Sequence, residues 1–212
     1  MSEEEKRQQD KRRREEELLA ALLLLLLGQF NHYTEDLTDI DQWQLHVLGS
    51  LVPAHQQAAV LGRQRAGATQ PQGYDDLAFA QGVVNTQVPF LEKFAAALKS
   101  GDPRYVDEEG NLLVDAINAR LAKYAERVVG TANEAFVLAS PPNSKWIWNL
   151  MMGANHCDDC PPLAAGSPYT AYTLPSVPGD GATQCNVLCA CELIRSDGVA
   201  GFSRAMLGVL WH

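Results

Sequence analysis

All five cysteines of this chain lie between Trp146 and Leu193, as Cys157, Cys160, Cys185, Cys189 and Cys191, and His156 directly precedes the first. Two close pairs of thiols separated by a loop are what a tetrahedral metal needs. The Cys157-Asp158-Asp159-Cys160 spacing lets one tight turn aim two sulfurs at a point, and Cys185 with Cys189 can supply two more from a second turn. Thiolates are soft ligands that select zinc or iron–sulfur chemistry over hard cations. The spacing therefore predicts a structural zinc site on Cys157, Cys160, Cys185 and Cys189. Cys191 lies two residues beyond Cys189, on the same side of an extended chain, and is an alternate ligand. His156 is the other alternate. As the neighbour of Cys157 it is expected to point away from the metal and to act as a hydrogen-bond partner around the site or as a core contact.

Other uses of these thiols fit the sequence less well. Disulfides would leave one of the five unpaired, and no signal peptide points to an oxidising compartment. Unpaired core thiols remain an alternative. A thioredoxin-like redox pair requires its Cys-x-x-Cys after a strand and at the start of a helix within an α/β pattern, which is absent. A catalytic zinc keeps an open position beside a carboxylate base. Asp158 and Asp159 sit inside the turn, and neither His-Glu-x-x-His nor the deaminase signature occurs. The reading is of a closed, non-enzymatic site, with a zinc enzyme acting on nucleic acid or cell wall as the alternative.

The elements that position these residues follow from the rest of the chain. Residues 161 to 184 are rich in proline and glycine, which excludes one long helix or a central strand. Their order is expected to depend on closure at both ends, for which structural zinc supplies roughly 10 kcal/mol or more. Trp146 and Trp148 share one side of an extended segment or open a short helix, and are expected to anchor the cysteine region to a body.

That body is helical. Of 212 residues, 46% are hydrophobic and 20% charged, a globular composition, and the net charge of −9 repels nucleic acid unless a local basic patch intervenes. Residues 3 to 17 are nearly all charged and mixed in sign, as in a solvated helix. Within them, Lys11 to Arg14 is the only evident basic cluster, and its acidic flanks weaken any contact with nucleic acid. The run Leu18 to Leu27 spans about 15 Å as a helix, too short for a transmembrane segment. It is read as a helix buried on all sides, by a partner or by copies of itself. Beside the basic cluster, this run also admits a membrane-active protein delivered with a genome.

Helical periodicity continues from Phe30 to Leu61, where Pro53 is expected to end or kink it, and Arg63 to Gly73 reads as a loop. Residues 75 to 99 form a second stretch with Leu77, Phe79, Val83, Val84, Val88, Phe90, Leu91, Phe94 and Leu98 as its apolar face. Pro89 is expected to kink or divide it. A third stretch runs from about Leu112 to Ser140 and stops at Pro141-Pro142. His32, His46 and His55 are scattered and read as ordinary surface or core residues. Phe202 to Trp211 is an apolar tail that needs burial. The fold class is mainly α with a small irregular α+β cysteine-rich module: a charged and leucine-rich N-terminal helix (1–28), a helical body (29–142) and a C-terminal zinc-binding-type module (143–212).

The order YAERVVGTANEAF, a tryptophan, HCDDCPPLAAG, LPSVPGDGATQC and CNVLCAC resembles the phage minor head, or head morphogenesis, proteins of the Mu F-like and SPP1 gene 7-like families. The likeness covers about residues 112 to 193. Many members close with His-Pro-x-Cys-Arg-Cys, so Cys185 stands in place of the histidine and Ala190 in place of the arginine. The charged N-terminus has no counterpart. The resemblance implies a structural or assembly protein of a tailed-phage head, made in the host cytoplasm and retained in the virion near the portal. Portal and capsid proteins would be its partners, with self-association through Leu18 to Leu27 as a further possibility.

Overall fold

The computed structural model describes residues 3–35, 37, 39–68 and 75–204. Four long helices, α1 (Glu3–Glu35), α2 (Ile40–Ala66), α3 (Asp76–Lys99) and α4 (Val114–Ala139), precede a small module. The module contains β1 (Lys145–Asn149), the short helix α5 (Cys160–Ala165), β2 (Tyr169–Thr170), a single 3-10 turn (Asn186–Leu188) and β3 (Glu192–Arg195). The chain is thus mainly helical, with a cysteine-rich C-terminal region.

α1 is one uninterrupted helix. Ion pairs one turn apart, such as Arg12–Glu16 at 2.9 Å and Lys11–Glu15 at 3.6 Å, support its charged half. Gly28 costs only about 1 kcal/mol relative to alanine and does not end it. The boundary drawn after residue 28 therefore falls inside an element. The leucine run is buried on one face rather than all round. Leu19, Leu23, Leu26 and Phe30 enter the core, while Leu18 and Leu25 are 58% and 68% exposed. The charged half is not simply solvated either, because Glu15 is buried and Arg12 reaches Glu192 of β3 at 2.7 Å.

Aspartates start the next two helices. Asp39 accepts from the backbone N–H of Asp41 and Gln42, and Asp75 from those of Leu77 and Ala78. α2 ends on Gly67 at φ 85°, a left-handed cap, so the first four residues of the predicted loop, from Arg63, are its last turn. Residues 69–74 lie outside the described residues. Pro53 and Pro89 neither end nor divide their helices. Each proline forfeits one backbone bond, but Leu51 and Ala54 around the first, and Gln87 and Leu91 around the second, are buried on both sides of the break. Packing outweighs the local preference. Leu77 and Phe90, expected on the apolar face of α3, are 49% and 56% exposed.

α4 is the central helix. It packs against α1 and α2, and its C-terminal half carries the module. A Cβ on Gly62 of α2 would collide with the carbonyl of Ala132, so this glycine permits the close helix crossing.

The module's three strands are antiparallel in the order β2-β1-β3, with Trp146 opposite Arg195 and Trp148 opposite Leu193. Strand alternation puts both tryptophans on the buried face, and the Trp146 ring meets Phe136 of α4 edge-on at 5.0 Å. Trp146, Trp148, Leu193, Cys160, Cys189 and Cys191 form a second core that includes Ala66, Phe136 and Val137 of the helical body. Phe202 inserts in the opposite sense, into the helical core, while residues 205–212 of the expected apolar tail lie outside the described residues.

Candidate metal centre

Two turns deliver the sulfurs. In the first, the N–H of Cys160 donates to the carbonyl of Cys157 (3.2 Å), and Pro161-Pro162 then starts α5. In the second, the N–H of Leu188 donates to the carbonyl of Cys185 (3.0 Å), with Asn186 held at φ 55°. The turns are tied together, since the Asp159 carboxylate accepts from the N–H of Gln184 at 2.7 Å. This gives Asp159 a structural role inside the knuckle.

The loop between the turns has supports beyond its closed ends. Asp180 accepts from the N–H groups of Val177 and Ala182, each at 2.9 Å. From α4, the Asn133 amide donates to the carbonyls of Pro178 and Phe202 at 2.9 Å each and accepts from the N–H of Phe202 at 2.7 Å. Gly130 lies against Gly179, where a side chain on either would not fit without movement.

All five cysteines are free thiols, and they converge with His156. A tetrahedral ion with metal–sulfur bonds of about 2.3 Å requires sulfurs about 3.8 Å apart. Cys160 Sγ lies 3.5 Å from Cys157, 3.8 Å from Cys185 and 3.9 Å from Cys189. Cys191 Sγ lies 3.5 Å from His156 Nδ1, close to the corresponding sulfur–nitrogen edge. Cys157, Cys160 and Cys185 form one group within ligand range of each other; His156, Cys160 and Cys191 form another. The cluster can therefore bind a metal ion.

His156 does not turn away as expected from its position beside Cys157. Its Nε2 lies 3.0 Å from the carbonyl of Met151, which can only accept. The proton is thereby placed on Nε2, and the Nδ1 lone pair faces the sulfurs.

The thiols share protons unequally. Its hydrogen bond with Cys189 is the main influence bringing Cys191 down to about 5, against burial and with help from Cys160. Burial raises Cys157, but hydrogen bonds from Cys185 and Cys160 outweigh it and leave the group at about 7. Cys160 is pushed up by burial and by Cys157 and Cys191; Cys189 is pushed up by Cys191 and by burial. Thiolate character thus begins at Cys157 and Cys191, one in each group.

Two features escaped the sequence reading. One is a groove of about 410 Å³ between α3, α4 and the 3-10 turn, where Arg120, Lys123 and Arg127 face Phe90 and Leu188. Its cations recur three and four residues apart on α4, a helical spacing that was legible but was not singled out in so acidic a chain. The other is the hydrogen-bonded setting of His55, which is fully buried on α2, in keeping with the reading of it as an ordinary surface or core residue. Its Nδ1 is 2.7 Å from Thr131 Oγ1 and its Nε2 is 2.8 Å from the Gln87 amide nitrogen. Burial and the nearby Arg127 charge hold it down to about 3. Its folded value lies below its unfolded value, so its contribution to stability is complete above pH 6.5 and is lost as pH falls from there towards 3. His55→Gln should flatten this part of the stability–pH curve by an amount on the order of a few kcal/mol, as measured by urea unfolding between pH 4 and 7. An unchanged slope would exclude the assignment.

Among the described residues, no helix is long and apolar enough to cross a membrane. Compared with known protein families, characterised proteins and solved structures, the chain matches none.

Proposed function

We propose that this chain is a structural or assembly protein of a tailed-phage head, in which a zinc ion on Cys157, Cys160, Cys185 and Cys189 holds a rigid module for contacts with portal and capsid proteins. The observation that carries this reading is the convergence of thiols at tetrahedral spacing in a module pinned to α4 by Asn133. Soft, clustered thiolates favour zinc over hard cations, and a four-thiolate zinc site is closed and structural. The segments that resemble minor head proteins fall on α4, β1, the two cysteine turns and the loop between them.

The partner surface in this reading is the basic groove. Its one carboxylate, Asp180, is already occupied by loop N–H groups, and Arg127 is paired with Glu134 at 2.6 Å, which leaves Arg120 and Lys123 to pair with an acidic partner segment. The exposed Leu18 and Leu25 on α1 offer a separate face for self-association. The protein would act in the host cytoplasm during assembly and remain in the virion.

The test is co-sedimentation of the zinc-loaded chain with the portal and capsid proteins of the same genome. Wild type should co-sediment, and an Arg120→Glu, Lys123→Glu double variant with unchanged thermal stability should lose at least tenfold in affinity. Failure of the wild type to associate with either protein would remove the assembly reading.

A further inference from the structure

One tetrahedral ion uses four ligands, whereas six converge here. With a metal on Cys157, Cys160, Cys185 and Cys189, the Cys191 thiol and the His156 lone pair remain, 3.5 Å apart and beside Cys160. Cys191 is fully buried, and His156 is already locked in the ligating tautomer by Met151. A core thiol without a ligand role does not require an imidazole lone pair aimed at it.

We infer that the cluster is a two-metal centre in which Cys160 and Cys189 bridge two zinc ions, one completed by Cys157 and Cys185 and the other by His156 and Cys191. This rests on the reading that the cluster binds zinc, and adds a second ion to it. Two four-coordinate metals require eight bonds, so six ligands suffice only if two of them bridge. Thiolate sulfur has the lone pairs to do so; imidazole nitrogen does not. Cys160 belongs to both ligand groups, and Cys189, which is in neither, lies 3.9 Å from it, a separation that two sulfurs shared by the same pair of ions can span. The terminal ligands then divide evenly, two per ion.

Charge supports the same count. A single zinc on four thiolates leaves a buried net charge of −2 beside a fifth thiol. Two zinc ions on five thiolates and a neutral histidine leave −1. Less uncompensated charge in a core is the cheaper arrangement. Coordination also displaces the thiol protons, so assembly releases five protons if all the thiols begin protonated, and no redox step is involved.

The decisive measurement is native mass spectrometry of the full chain, purified without chelator and titrated with zinc chloride. Two zinc ions per wild-type chain are expected, with one in Cys191→Ser and one in His156→Ala. Both variants keep all four ligands of the first ion, so their circular dichroism should remain close to wild type. Zinc-edge X-ray absorption should show a metal–metal distance of about 3.5 Å in wild type only. Saturation at one zinc in wild type would overturn the second ion and leave the single structural zinc standing. No bound zinc would remove both. The assembly reading is tested separately, by co-sedimentation.

Discussion

Cys160→Ser is expected to release the bound metal and to unfold the module from Trp146 to Ser203 while α1 to α4 stay helical. Cys160 is the hub of the cluster, within 3.9 Å of three other sulfurs, so its loss damages every way of coordinating an ion there. In structural zinc sites, metal-binding free energy of about 10 kcal/mol or more is folding free energy. The helical core is made of leucines, valines and aromatic rings from α1 to α4 and includes no cysteine. It is not wholly independent, however, because Phe202 inserts into it. Hydrogen exchange followed by mass spectrometry should therefore show complete loss of protection in β1 and β3, with protection retained in α3 and the first half of α4. Equal loss in α3 and β1 would contradict this division.

Arg65→Ala should destabilise the whole protein by roughly 3 to 5 kcal/mol, the usual cost of breaking a buried ion pair from one side. Arg65 lies in the last turn of α2, and its guanidinium binds two other parts of the chain, α1 and residues 200 to 202. It pairs with Glu15 of α1 at 2.5 Å, donates to the carbonyls of Ala200 at 2.9 Å and Arg12 at 3.2 Å, and lies 4.3 Å over the Phe202 ring. Truncation leaves the Glu15 carboxylate buried and opposed, among the described residues, by Lys11, which is itself half-exposed. Arg65→Lys should recover little, because an ammonium cannot reproduce the planar fork. Urea unfolding of the metal-loaded chain measures the effect. A loss below 1 kcal/mol would show that this buried network is dispensable for docking the module.

Much of this architecture was legible in local patterns. The periodicity of residues 114 to 139 and the alternation of Trp146 and Trp148 about Ile147 each express a rule that operates within a few residues. The same holds for the cysteine pairs, whose spacing within each turn predicted convergence. Chain-breaking signals were less reliable. Pro53, Pro89 and Gly28 all disfavour helix locally, but each sits in a helix stabilised by side chains buried against other elements.

What the sequence by itself determined was a mainly helical protein with a cysteine-centred module, because helix periodicity and thiol spacing are short-range properties. The tertiary structure alone decided how the parts join. It brought Arg12 to Glu192 across 180 positions, placed Arg65 beneath residues 200 to 202, and turned His156 so that its lone pair faces Cys191. These contacts join residues far apart in sequence, or depend on which ring nitrogen meets a carbonyl acceptor. Only packing sets such relations, so no spacing rule could have disclosed them.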